Sequence, residues 1–186
     1  YHALIKGKVN KESFFSIIKM GAPTGLQVAF MASISLLLNK FVASYGKTPM
    51  AVYTVGTNME SITWMTTEGF QNGIVAFVGQ NYGARKICRL KEVIRKSMKV
   101  VGAIGLLATI ILIGFRHELF KIFLPGNAEA IEIGAVFLLI LGSSQLFMSL
   151  EIGASGVFHG LGLTQVPSKI SIVFNLIRIP LAIILM

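Results

Sequence analysis

Five apolar stretches, separated by short polar or basic segments, limit what this chain can fold into. They lie at about residues 17–45, 50–78, 98–115, 133–158 and 169–186. A helix needs about 20 largely apolar residues to cross a bilayer, and the first four runs reach roughly that length. The fifth stops at the end of the sequence. Composition points the same way. Of the 186 residues, 54% are hydrophobic and 13% charged, where a soluble domain carries about 25% charged. The mean hydropathy is +0.73. Polar groups this sparse cannot cover a water-soluble globule, so the expected fold is an all-α membrane protein, a polytopic helical bundle. The chain begins at Tyr1 and ends inside an apolar run at Met186, and reads as a piece of a larger protein. Residues 1–16 are read as a basic cytoplasmic linker, with Ser13 expected to cap the first helix, and 17–186 as the bundle.

The distribution of charge assigns sides to the loops. Of the seventeen Lys and Arg, twelve fall in the N-terminal segment, the 79–99 segment and the start of the last run, including Arg85, Lys86, Arg89, Lys91, Arg95, Lys96 and Lys99. Four fall in the two alternate loops. That asymmetry follows the positive-inside rule and places the N-terminal end of this chain in the cytoplasm. It also accounts for the net charge of +9 without a nucleic-acid partner. Tyr82 is the one aromatic near the basic segment, so a base-stacking platform is missing. Headgroup contact is the expected use of the charge.

Catalytic and metal chemistry find little support. All eight acids are Glu, and the single Cys88 cannot build a disulfide or a CxxC motif. The three histidines are far apart. No His, Asp or Cys sits centrally in a span, so an enzyme is not expected. Gly79-Gln80-Asn81-Tyr82-Gly83-Ala84 follows a helix and lacks the dinucleotide-binding spacing, and is read as a tight turn.

What stands out is ionisable residues inside the apolar runs. Such groups are costly in a membrane and usually face a cavity or a partner. Glu60 lies about 15 Å into the second run, at 1.5 Å per residue. Glu68 is eight residues on, turned by about 80° on a helix. Thr57, Trp64, Thr67 and Gln71 fall near the same side, and Trp64 offers a ring face to an organic cation. Burial disfavours a charged carboxylate, which suits a proton-coupled site. Glu60 and Glu68 are therefore candidates for holding a proton, Na⁺ or a cationic substrate. The plainer alternative is a protonated Glu bonded to a neighbouring helix. Glu151 in the fourth run and Arg178 in the fifth reach similar depths, as a structural ion pair or as one that opens when Glu151 takes a proton or ion. Pro180 beside Arg178 frees a carbonyl. Gly21/Gly25 and Gly69/Gly73 are small-residue pairs expected to let helices approach closely. Gly156 to Gly160 is read as a packing face.

Several of these segments carry a resemblance. Val55 to Ser61 (VGTNMES) and Phe77 to Lys86 (FVGQNYGARK) resemble the second helix of one half of a multidrug and toxic compound extrusion (MATE) transporter. Gly21-Ala22-Pro23, Gly156 to Pro167 (GVFHGLGLTQVP) and Arg178 to Ala182 (RIPLA) resemble other helices of that half. The resemblance covers nearly the whole chain. It implies about five transmembrane helices of a six-helix lobe, from a twelve-helix transporter of two pseudo-symmetric lobes. It further implies a secondary active antiporter of the bacterial cytoplasmic membrane, exporting organic cations or amphipathic drugs in exchange for H⁺ or Na⁺, with no other cofactor. The first lobe and last helix would be its missing partners. Many members carry an acid where Met148 stands here; in this chain the acid is Glu151, three residues later. The first helix lacks a carboxylate, with Gln27 its nearest polar substitute. A lipid-linked precursor flippase of the same superfamily would share the topology but would be expected to have a basic cavity. A non-catalytic membrane subunit is the remaining alternative.

Overall fold

The computed structural model describes residues 11–184. Among these residues are six helices: α1 Lys11–Ser44, α2 Lys47–Gly83, α3 Ile87–Gly114, α4 Arg116–Phe123, α5 Ala128–Gly160 and α6 Gln165–Ile184. No strand occurs among the described residues. Among the described residues, three helical segments are long and apolar enough to cross a membrane: Gly21–Ser44, Ile87–Gly114 and Ala128–Gly160. At 37 residues, α2 spans about 55 Å, yet its Glu, Asn, Gln and Thr content keeps it out of that group.

The helices overrun the expected spans. The basic 79–99 segment, read as a loop, is mostly helix. α2 continues to Gly83, α3 begins at Ile87, and only 84–86 lie between. Arg89, Lys91, Arg95, Lys96 and Lys99 thus sit on the first turns of α3, where Lys96 pairs with Glu92 at 2.7 Å. The 116–132 segment likewise holds a short helix, α4. Ser13 is not the cap of α1, which already includes Lys11. A cap does form at Asn127, whose side chain accepts from the Ala130 backbone N–H at 3.0 Å and starts α5.

The chain divides into two compact units. One comprises the two ends, up to Ser35 and from Gly162; in it Pro23 lies inside α1, and Ser168 of α6 is buried with its hydroxyl donating to Thr164 O at 2.9 Å.

The other unit, Leu36–Leu161, packs α2, α3 and α5 around a common interior, with α4 closing one end. Close approaches give the register. Along α3 and α5, Val101 meets Gly153, Gly105 meets Ser149, and Leu112 meets Gly142, so the two helices are antiparallel. Along α2 and α5, Gly56 meets Phe137, Ile74 meets Gly156, and Val78 meets Gly160, so these two are parallel. This is the alternation that successive membrane crossings require.

Glycines make the proximity possible. A Cβ on Gly105 would stand 2.8 Å from Ser149 Cβ and 2.9 Å from Leu146 Cα; one on Gly160 would stand 2.7 Å from Val78 Cβ. Small residues let membrane helices gain packing contacts in place of a hydrophobic driving force. The expected packing face at Gly156 to Gly160 is present. The expected pairs Gly21/Gly25 and Gly69/Gly73 are not used: a Cβ at any of the four meets nothing within 4 Å.

Two apolar clusters fill the unit. Val52, Met59, Leu112, Phe120, Ala130 and Leu138 form one, near α4. Ile74, Val78, Leu90 and Val101 form the other, near the basic turn. α4 matters because Phe120 is fully buried, with its ring filling the space left by Gly134.

Candidate functional site

The α2 surface divides into two arcs. Val52, Gly56, Met59, Thr63, Thr67, Ile74 and Val78 are buried. Beside that arc run Glu60, Gln71, Trp64 and Glu68, spread over about 80° of helix surface at 100° per residue. Glu60 and Glu68 are both half-buried, and Trp64 between them is 46% exposed. Thr67, expected on this flank, lies instead in the core. Its hydroxyl donates to Thr63 O at 2.8 Å and lies 3.3 Å from Ser149 Oγ. Thr57 also spends its hydroxyl on its own helix, donating to Tyr53 O at 2.8 Å. The carboxylates, the indole and the Gln71 amide are therefore the distinctive chemistry of the flank.

The flank can present an organic cation with an aromatic face between two carboxylates. It cannot clamp one ion with both. Eight residues of helix set Glu60 and Glu68 about 12 Å apart along the axis, so any ion at each would need its own further ligands. Gln71 is tied to the packing: a Cβ on Gly156 would stand 2.8 Å from Gln71 Cγ.

The other predicted residues are not gathered here. Glu151 is exposed on α5. It lies two residues, about 200°, from both buried Ser149 and buried Gly153, on the face of α5 turned from the three-helix interior. The side chain of Arg178, on α6, lies outside the described residues, as does its expected pairing with Glu151. Gln27 is half-buried on α1, in the unit formed by the chain ends.

Four polar residues lie deep in the interior of the Leu36–Leu161 unit, and three of them, Thr63, Gln145 and Ser149, have no assigned role in the sequence. Gln145 and Ser149 of α5, with Thr67 of α2, are fully buried, and Thr63 nearly so. Their signal was spacing: Gln145/Ser149 and Thr63/Thr67 are both i,i+4 pairs, and so share a helix face.

The turn at the end of α2 explains the FVGQNYGARK segment physically. Lys86 N–H donates to Asn81 O and Arg85 N–H to Tyr82 O, each at 3.0 Å. This is the bonding of a Schellman cap, with Arg85 at φ 55 in the left-handed position usually held by glycine. Gly79, one turn earlier, lets α2 approach the end of α5: a Cβ there would stand 3.3 Å from Gly160 O.

With this geometry in view, known proteins show where the chain is placed. The MatE family model matches residues 23–184. The multidrug export protein MepA of Staphylococcus aureus (strain N315) is 26% identical over 178 residues, covering 96% of this chain and 39% of that protein. The probable multidrug resistance protein YoeA of Bacillus subtilis (strain 168) is 26% identical over 180 residues, covering 96% of this chain and 38% of that protein. The chain thus spans well under half the length of the curated relatives it matches.

Proposed function

The chain belongs to the MatE family, and from that premise we propose that it contributes one lobe's helices to a secondary active exporter of organic cations or amphipathic drugs. The printed names of MepA and YoeA support the multidrug reading at the level of the longer protein. The observation that carries it on this chain is the α2 flank. Two half-buried carboxylates bracket an exposed tryptophan midway along a helix whose adjoining arc is packed. Lipid is a poor solvent for such a surface, and a water-filled pathway is a good one.

In this reading Trp64 stacks against the apolar cation, and Glu68, with Glu60, supplies the negative charge that attracts it. Exchange follows if a proton or Na⁺ competes for the same carboxylates, since binding of one then disfavours the other. Glu151 faces away from the three-helix interior, so its part would be played toward the remainder of the longer protein. The basic turn at Arg85 and Lys86 lies on the cytoplasmic side, and the protein resides in the plasma membrane.

The reading is tested by ethidium efflux from cells expressing the full-length gene, measured with and without an imposed Na⁺ gradient and, separately, a proton gradient. Efflux that follows one gradient supports exchange. Efflux indifferent to both contradicts it.

A further inference from the structure

The interior of the Leu36–Leu161 unit is not continuously apolar. Between its two apolar clusters lies a polar layer contributed by all three long helices. The α3–α5 register pairs Gly105 with Ser149 and Leu112 with Gly142, which sets Thr109 level with Gln145. The α2–α5 register pairs Thr67 with Ser149, which sets Thr63 level with Gln145 one turn away.

Within this layer some groups are satisfied and two are not. Thr67 bonds Thr63 O and lies beside Ser149 Oγ. Gln145 donates through Nε2 to Leu141 O at 3.2 Å. Its Oε1 is buried without a hydrogen-bond partner, and so is Thr109 Oγ1 on the facing helix. A buried carbonyl oxygen with no donor is costly, and native interiors rarely leave one so. Two such atoms at one level of one helix interface share a solution.

We propose that a water molecule bound inside the three-helix core bridges Gln145 Oε1 and Thr109 Oγ1. Gln145 Oε1 only accepts, so its partner must be a donor; water has two protons, and the Thr109 hydroxyl can accept one or donate in return. The layer's side chains are neutral amide and hydroxyl groups, which match a water's two to four bonds. They offer no carboxylate to balance a cation. The bridge joins α3 to α5 where Gly105 and Gly142 bring the backbones close, and fixes the register of the two helices. It is separate from the Glu60–Glu68 flank, which lies on the other arc of α2.

The test uses the full-length protein purified in lipid nanodiscs. A structure at a resolution that shows ordered solvent is expected to place one density peak within hydrogen-bonding distance of both atoms. A direct Gln145–Thr109 bond with nothing between overturns the proposal. Independently, Thr109→Val and Gln145→Met are each expected to lower the Tm, and the double variant to lower it by less than the sum. Strictly additive losses overturn the bridge. Replacing choline by Na⁺ is expected to leave the wild-type Tm unchanged. A Na⁺-dependent rise that Gln145→Met abolishes would assign the position to a cation instead.

Discussion

Thr67 Oγ1 of α2 and Ser149 Oγ of α5 lie 3.3 Å apart, both residues fully buried, at the level where the two apolar clusters of the unit separate. A hydroxyl pair at this depth joins two parallel helices through residues 82 apart in sequence. Interhelical hydrogen bonds in membrane proteins contribute about 0.6 kcal/mol on average. In a double-mutant cycle, Thr67→Val and Ser149→Ala are expected to couple by roughly that amount. The readout is unfolding of the purified full-length protein in mixed micelles, and zero coupling would show the contact to be incidental.

Gly105 discriminates packing from mere glycine content. A side chain there meets the Ser149 side chain and the Leu146 backbone, and a backbone cannot swing aside. Gly105→Val is expected to destabilise by about 1–3 kcal/mol, the usual cost of overpacking. Gly69→Ala, where a Cβ meets nothing within 4 Å, is expected to be neutral or to stabilise by up to about 1 kcal/mol through helix propensity. Comparing the two Tm values checks both.

Arg85 occupies a left-handed position that disfavours any residue with a Cβ. The conformation costs a non-glycine residue about 1–2 kcal/mol, against the extra chain entropy that glycine loses on folding, about 0.5–1 kcal/mol. Arg85→Gly is therefore expected to raise stability by up to about 1.5 kcal/mol. Arg85→Ala, which keeps the strain, is expected to leave stability near wild type. A Tm lower in Arg85→Gly than in Arg85→Ala would show that the strained turn is not what limits stability there.

The long apolar runs made the helices legible, because lipid crossing demands a length and composition that few other structures share. Boundaries were less legible. Lys and Arg at the start of α3 read as loop, yet long basic side chains are at home on an exposed helical face. α4 was hidden because eight residues of mixed charge, though periodic, fall far short of the length that marks a crossing helix. Glycine pairs proved ambiguous: Gly69/Gly73 and Gly156/Gly160 look alike in sequence, and only the second pair has a helix against it. The buried layer of Thr63, Thr67, Thr109, Gln145 and Ser149 could not be assembled from its i,i+4 spacings alone, for a related reason. A polar residue in an apolar run can face a cavity or another helix's polar residue, and the choice depends on register between segments far apart in the chain. For the candidate site, Glu60 and Glu68 drew notice because an acid in a long apolar run is rare enough to notice singly, and Trp64 because it lies between them.

The most direct test of the α2 flank is ethidium efflux from cells carrying the full-length gene, wild type against Glu68→Gln, at matched membrane expression. Glutamine keeps the size and hydrogen bonding of the side chain and removes its charge. Loss of at least tenfold in initial efflux rate, with normal expression and Tm, is the predicted result. Efflux at the wild-type rate would contradict a transport role for Glu68 and leave it a structural residue.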